Sequence, residues 1–202
     1  MGNFEIDEGL LLQTVTNGYL NCEERNNGSW HIQVERGSNK SNIKGVIGGL
    51  LRHYGVTASS VEVYLHNTEG QEIQTEYQVS GRRELYHTVG MKGKEVTVEG
   101  VGATDYFRII KNEYKKLQRE KLLKAGGSFG WRKDVIFIDT LSQIDEEVFN
   151  LVREELNELL TEGSEHGIFF VLVTDRESTL EFEGVTKVII SEFGVTVQDS
   201  KK

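Results

Sequence analysis

The segment Glu35–Ser41 joins a predicted strand to a predicted helix and ends in a lysine and a serine, Lys40 and Ser41. At such a junction the unpaired backbone N–H groups and the helix dipole attract phosphate, a lysine adds positive charge, and a serine hydroxyl can bind Mg²⁺. The full pattern G-x-x-x-x-G-K-[ST] is incomplete, because Asn39 replaces its last glycine and Val34 falls at its first. The motif alone therefore favours an ordinary strand-to-helix turn. If ATP binds here, the candidate nucleotide-binding residues are Gly37, Ser38, Asn39, Lys40 and Ser41.

Asp139 ends the apolar run VIFID, at the strand end where open α/β sheets place their ligand crevice. In a phosphoryl-transfer site an acid at this position holds Mg²⁺, and a following acid polarises the attacking water. Thr140 stands where that second acid would be, so the usual catalytic glutamate is missing. The alternative is a helix or turn cap, a role that Ser142 or Asp145 could share. Asp139 and Ser41 are therefore candidate Mg²⁺ ligands only if nucleotide binds.

A third polar segment, Thr174–Arg176, follows the apolar run IFFVLV and is expected beside Asp139 across the sheet. Arg176 ends this segment, and an ordinary polar loop is the alternative. The five histidines are scattered without the spacing of metal ligands, and Cys22 is the only cysteine. The sequence therefore supports neither a zinc site nor an internal disulfide.

An alternation of strands and helices must position these residues. The segments Gly28–Val34 and Val61–Asn67 are predicted strands on either side of an amphipathic helix from Ser41 to Tyr54, which Gly55 should end. Two strands separated by a helix of this length are normally parallel and joined by a right-handed crossover.

The second half of the chain continues this alternation. A long helix should be capped by Thr104 or Asp105 and end at Gly126, and a helix over residues 145–160 should end at Gly163. The apolar runs at 134–140 and 167–176 have the pattern of strands buried on both faces, and residues 187–190 and 194–197 suit a hairpin. The predicted inner positions are Phe107, Ile110, Tyr114 and Leu117 on the long helix, and Val148, Val152, Leu156 and Leu159 on the next.

These elements predict one α/β domain over residues 1–202, with a mostly parallel central sheet and helices on both faces. The region 70–102 is a candidate inserted β region. It contains two short candidate strands, EIQTEYQV and KEVTVEGV, whose order the sequence leaves open.

Charge and hydropathy limit the classes of partner. The net charge of -9 argues against a surface that grips nucleic acid, and the densest basic stretch, Lys111–Lys124, is interrupted by acids as in a solvated helix face. DNA binding therefore remains open but is not supported by charge. No apolar run approaches the roughly 20 residues that a membrane helix needs. The first fifteen residues carry acids where a secretory signal carries bases, so we expect a cytoplasmic protein with no membrane partner.

Taken in order, several segments resemble the FtsK/SpoIIIE family of HerA-like P-loop motor ATPases, from about residue 30 to residue 190 by pattern matching. HIQVERGSNKSN is similar to the family's strand, P-loop and helix start, with a shortened loop, and YLHNTEGQEI to its next strand. The long helix ending in KAGG resembles the one before the Walker B strand. RKDVIFIDTLSQI resembles that strand, and EHGIFFVLVTDR resembles the strand that ends in Thr-Gln-Arg. The resemblance implies a RecA-like P-loop NTPase fold.

By this resemblance Lys40 and Ser41 match the phosphate and Mg²⁺ residues, Asp139 the Walker B acid, and Arg176 the arginine after the third strand. Loss of both loop glycines should hinder close approach of the backbone to phosphate, and Thr140 should impair water activation. The resemblance therefore implies a degenerate ATPase domain, a pseudo-ATPase that binds a protein partner or itself. Similar degenerate domains occur in EssC of type VII secretion, and a phage, plasmid or secretion locus would suit such a protein.

Two alternatives stay open. One is an active, divergent DNA-translocating or packaging ATPase, in which Lys40, Ser41 and Asp139 still act and Glu146 or a neighbouring subunit supplies the base. The other is a generic α/β binding domain, which would be favoured if the strand order did not bring Asp139 beside Lys40.

Overall fold

The structure, a computed structural model, describes residues 28–66, 96–101, 103–124, 133–139, 146–175 and 180–198. The strands are β1 (Ser29–Val34), β2 (Ser60–His66), β3 (Val96–Val101), β4 (Asp134–Asp139), β5 (Ile168–Asp175), β6 (Val185–Ser191) and β7 (Gly194–Gln198). The helices are α1 (Lys40–Thr57), α2 (Ala103–Lys124), α3 (Glu146–Asn150) and α4 (Arg153–Glu162), with a short 3₁₀-helix over Gly163–His166.

The described strands form one seven-stranded sheet in the order β3-β2-β4-β5-β1-β6-β7. Every neighbouring pair is parallel except β6 and β7, which form the antiparallel hairpin expected near the end of the sequence. Because the inner strands run in one direction, the carboxyl ends of β1, β4 and β5 meet at the same edge of the sheet. The candidate residues Lys40, Ser41 and Asp139 lie at or beyond that edge.

Helices cover both faces of this sheet. On one face α1 packs against alternate sheet residues such as Phe137 and Val171, and on the other α2, α3 and α4 pack against Ile138 and Leu172. All of β4 is buried, as its continuous apolar run predicted. The predicted α/β class is confirmed: the sheet is mostly parallel and helices cover both of its faces.

The first helix is longer than its sequence pattern predicted. α1 runs through Gly55 to Thr57, and the Ala58 N–H closes it by donating to the Tyr54 carbonyl oxygen at 2.7 Å. A glycine inside a helix costs only about 1 kcal/mol. The buried Tyr54 holds this last turn, because its hydroxyl accepts a hydrogen bond from Trp30 Nε1 of β1 at 2.7 Å. The prediction that Gly55 ends the helix is therefore wrong.

The inner face of α2 differs from the predicted one at its first position. Tyr106 is buried, whereas Phe107 is 38% exposed. The Lys111 ammonium lies over the Phe107 ring, 5.4 Å from the centre of that ring. The buried residues of the helix otherwise include the predicted Ile110 and Leu117, with Tyr114 partly buried. The helix begins at Ala103, so Thr104 and Asp105 lie in its first turn and neither caps it.

The helix predicted over residues 145–160 is interrupted. α3 ends at Asn150, α4 begins at Arg153, and Val152 between them has a non-helical backbone with φ −124° and ψ 5°. The segment contains neither glycine nor proline, so its sequence gave no sign of a break. Burial of Val152, Leu156 and Leu159 is confirmed, as is the end of α4 at Gly163, whereas Val148 is only partly buried and its neighbour Phe149 is buried.

The predicted β region 70–102 is described only in its last part. KEVTVEGV supplies β3, which lies at one edge of the sheet and pairs in parallel with β2. EIQTEYQV lies outside the described residues. An insertion over 70–102 within a single domain over 1–202 therefore remains a prediction.

Candidate functional site

The turn between β1 and α1 is five residues long, Glu35–Asn39, and is held against β6. The Glu35 N–H donates to the Ile190 carbonyl oxygen at 2.9 Å. The Ser38 hydroxyl lies 2.6 Å from the carbonyl oxygens of both Glu35 and Ile190 and can donate its proton to either. The short turn is thus anchored to the carboxyl end of β6, beside β1.

Asn39 caps α1. Its backbone is extended, and its side-chain Oδ1 accepts a hydrogen bond from the Ser41 N–H at 2.8 Å. Its carbonyl oxygen accepts from the N–H groups of Asn42 and Ile43. Asparagine is among the best residues for this role because its short side chain reaches the otherwise unpaired donors of the first turn. An N–H that would face a bound phosphate is therefore already hydrogen-bonded within the chain.

Gly37 has φ +76°, a left-handed conformation that favours glycine. The side chain of Glu192, from the turn between β6 and β7, lies against it: a Cβ added at Gly37 would be 3.6 Å from Glu192 Oε2. Sequence reasoning missed Glu192, because its position beside the β1–α1 turn depends on β6 pairing with β1. The Glu192 carboxylate thus lies beside the turn that the sequence indicates as a candidate phosphate site.

Asp139 is the last residue of β4 and is buried. It is in register with Val173 of β5, which is in register with Ile32 of β1. Because side chains alternate along a strand, Asp139 points to the same face as Phe137, the face that α1 covers. Asp139 and the first turn of α1 therefore share one edge and one face of the sheet, and Asp139 is two strand spacings, roughly 10 Å, from Ile32 of β1.

The segment after β5 is only partly described. Val173 pairs with Asp139, so the end of β5 lies next to the end of β4, as the sequence predicted. The Thr174 side chain, however, points to the opposite face, where its hydroxyl hydrogen-bonds to His31 Nε2 at 2.9 Å. Arg176 lies outside the described residues, as does Thr140. Their candidate roles remain predictions.

His31 is a buried histidine of β1. Its ring meets that of Phe182 edge-on, with 4.9 Å between their centres. Burial, with a smaller contribution from Lys187, lowers the pKa of His31 to about 4. The imidazole is therefore neutral near pH 7 and forms part of the sheet's packing. Within the described ranges no three His, Cys, Asp or Glu side chains are grouped so that they could hold a metal ion.

Tyr106 connects α2 to the strand end that carries Asp139. Its hydroxyl lies 3.5 Å from the Asp139 carbonyl oxygen. Burial raises the pKa of Tyr106, and the nearby carboxylates of Asp139 and Asp105 raise it further. The hydroxyl therefore stays protonated and can act as a hydrogen-bond donor at this position.

The basic stretch of α2 is paired with acids. Lys111 forms an ion pair with Glu155 of α4, and Lys121 contacts Glu158 and Glu162 at 2.6 and 2.5 Å. Lys116 pairs with Asp134 of β4. These contacts pair Lys111, Lys116 and Lys121 with acids of α4 and β4. Lys115 and Arg119 are exposed, so one side of the stretch lies in an interface and the other is the predicted solvated face.

The fold is a mostly parallel α/β sheet with the β1–α1 turn at the carboxyl end of its strands. No protein-family model and no curated protein matches the sequence. Among solved structures, the chain is similar to ATPases 2 and 3 of EssC from Geobacillus thermodenitrificans, with 15% identity, a TM-score of 0.48, and coverage of 81% of this chain and 32% of that one. A structure described as an ATPase has 10% identity and a TM-score of 0.48, with 83% and 67% covered. The cytoplasmic domain of EssC has 13% identity and a TM-score of 0.44, with 83% and 34% covered.

The chain thus spans about a third of the length of the EssC structures it matches. Identities this low assign no role to any residue of the site. Among the described helices, none combines the length and apolar character that crossing a lipid bilayer requires.

Proposed function

We propose that this chain is a pseudo-ATPase domain of the FtsK/SpoIIIE type, which acts as a protein-interaction or regulatory module. The observation that carries the proposal is the β1–α1 turn. It occupies the place of a phosphate-binding loop, yet it is five residues long, tied to β6 through Ser38 and capped by Asn39.

The geometry of the turn disfavours phosphate. A P-loop binds phosphate through backbone N–H groups that have no other partner. Here the N–H of Ser41 is held by Asn39, and the N–H groups of Ser38 and Glu35 donate to carbonyl oxygens of the chain. Removing a helix cap costs about 1 kcal/mol, so phosphate would have to displace existing contacts before it gained new ones. Thr140, where a catalytic glutamate would be expected, further argues against hydrolysis.

Such a domain would act through its surface, by docking on a protein partner or by self-association. The net charge of -9 and the pairing of Lys111, Lys116 and Lys121 with acids support a protein partner over DNA. ATP and Mg²⁺ are not required for this role, and we expect it to be carried out in the cytoplasm.

The test is calorimetric titration of the protein with ATP in the presence of Mg²⁺, paired with a phosphate-release assay. Wild type and Lys40→Ala should behave alike, with no saturable heat and no release above buffer. Lys40→Ala is the informative variant because Lys40 is the lysine that a working phosphate loop would need. Binding by wild type that is lost in Lys40→Ala and accompanied by turnover would overturn the proposal.

A second candidate is an active, divergent DNA-translocating or packaging ATPase. The observation in its favour is that Asp139 shares an edge and a face of the sheet with the first turn of α1, where an acid could hold Mg²⁺ near phosphate. This candidate predicts turnover that rises when duplex DNA is added and is lost in Lys40→Ala. Glu146, the exposed first residue of α3, is its candidate base, so Glu146→Gln should abolish that turnover.

A further inference from the structure

We propose that Asn39 and Glu192 together exclude phosphate from the β1–α1 turn, so that their replacement would restore phosphate affinity. This inference rests on the proposed pseudo-ATPase function and names the residues responsible for it. The loss of the loop glycines is a separate effect. Here the exclusion is attributed to two side chains: one occupies an N–H group that phosphate would need, and the other repels phosphate by its charge.

Asn39 acts by occupying a donor. Its Oδ1 lies 2.8 Å from the Ser41 nitrogen, an ordinary hydrogen-bond distance, so the cap imitates the oxygen of a phosphate. Phosphate at this position must first displace the amide. A glycine at the same position leaves the N–H free and costs the helix only a few tenths of a kcal/mol relative to asparagine.

Glu192 acts by charge. Its Oε2 lies 3.6 Å from the position that a Cβ of Gly37 would occupy. Gly37 has a left-handed backbone and carries no side chain, so this side of the turn is otherwise uncovered by the residue itself. A phosphate approaching the turn there meets a carboxylate of the same sign. Like charges a few ångströms apart repel, more strongly at a protein surface than in bulk water. Glutamine has nearly the same shape and lacks this charge.

Two features indicate that these side chains can be changed without loss of the fold. Glu192 is exposed, in the two-residue connection between β6 and β7. Asn39 is also exposed, and the turn keeps its other anchors through Ser38 and Glu35. Circular dichroism and a thermal melt of each variant establish that it is folded.

The experiment titrates inorganic phosphate, and separately ATP with Mg²⁺, into wild type, Asn39→Gly, Glu192→Gln and the double variant. Two matched controls accompany them. Asn39→Ser keeps a capping side chain, and Glu183→Gln removes an exposed carboxylate from the segment that leads into the opposite end of β6.

Wild type is expected to show no saturable binding, so the highest ligand concentration used sets a lower bound on its Kd. The double variant is expected to bind at least tenfold more tightly than that bound, and Glu192→Gln alone at least threefold, whereas both controls should match wild type. A folded double variant with wild-type affinity would overturn the inference and leave the pseudo-ATPase proposal intact. Equal gains in Glu183→Gln and Glu192→Gln would also overturn it, because the effect would then come from net charge.

If Asn39→Gly fails to fold, the comparison of Glu192→Gln with Glu183→Gln decides the question. Turnover by wild type would instead overturn the proposed function itself.

Discussion

His31 shows how a single titratable side chain is shaped by its place in the sheet. It lies on β1 between strands that pair on both sides, its Nε2 hydrogen-bonds to the Thr174 hydroxyl, and Phe182 covers its ring. Lys187, in register with it on β6, is the charge that further disfavours protonation. The folded protein therefore holds this imidazole neutral.

His31 should make stability depend on pH. Its pKa is about 4 in the folded chain and about 6.5 when unfolded, so below pH 6.5 the unfolded chain takes up a proton that the folded chain resists. Above pH 6.5 neutral His31 makes its full contribution to the free energy of unfolding. This contribution is lost progressively between pH 6.5 and pH 4, and it does not change further below pH 4. The loss should be about 3 kcal/mol. Urea unfolding at pH 7.0, 5.5 and 4.5 measures it.

Carboxylates also titrate near the lower end of this range, so a variant is needed to isolate His31. In His31→Gln a neutral amide can still hydrogen-bond to Thr174, and the drop in unfolding free energy between pH 7 and 5.5 should largely disappear. An equal drop in wild type and His31→Gln would show that another group is responsible.

The residues of the candidate site were predicted unevenly. Lys40, Ser41 and Asp139 could be placed at one sheet edge because local patterns identified β1, α1 and β4. Asparagine is a favoured residue at a helix N-cap, but compared with the phosphate-loop pattern Asn39 only marks a missing glycine. Glu192 could not be placed at all, because its contact with Gly37 joins segments more than 150 residues apart and requires the full strand order.

At the scale of elements, α2 and α4 form a parallel pair joined by polar contacts. Lys111 pairs with Glu155 near one end, and Lys121 contacts Glu162 near the other. Between them Glu158 accepts hydrogen bonds from Tyr114 at 2.9 Å, Gln118 at 2.8 Å and Lys121 at 2.6 Å. The hydrogen bond from Lys121 is the largest cause of the lowered pKa of Glu158.

Glu158→Ala should lower the free energy of unfolding by about 1 kcal/mol, because three donors lose their common acceptor at a partly solvated interface. Glu154→Ala is the matched control. Glu154 is an exposed acid on the same helix, and its replacement should change stability by less than about 0.5 kcal/mol. Chemical denaturation measures both, and equal effects would mean that the contacts of Glu158 do not stabilise the pair.

Element types were easier to predict from the sequence than element faces and ends. The continuous apolar runs identified β4 and β5, since few other structures bury every residue of a short segment. On α2 only the first predicted inner position, Phe107, is wrong, because Tyr106 and Phe107 are both aromatic and periodicity alone does not choose between them. The break between α3 and α4 lies in a segment without glycine or proline, so the local sequence does not predict it.

At the scale of the whole molecule, two hydrophobic cores share one sheet. Val171 and Leu172 are consecutive residues of β5, the central strand of the sheet, and each belongs to a different core. Both are fully buried. The sheet therefore couples the two cores mechanically, and loss of packing on one face should weaken the other.

Val171→Ala and Leu172→Ala should each lower the unfolding free energy, by about 2 and about 3 kcal/mol, through lost burial and the cavity left behind. Each variant should still unfold in a single transition, with near-UV and far-UV circular dichroism changing together. Val195→Ala, a partly buried position of edge strand β7 that packs on the α1-side core, is the control with a smaller expected effect. Separate transitions in either core variant would show that the two faces melt independently.

The position of β1 also sets an order of events during synthesis. Both of its neighbours, β5 and β6, come from the far end of the described chain. Roughly 130 residues must follow Val34 before β5 exists, which at ribosomal rates takes on the order of 10 seconds. During that interval the strand carrying Trp30 and Ile32 has neither hydrogen-bonding partner, and its apolar side chains are open to chaperones or to other nascent chains.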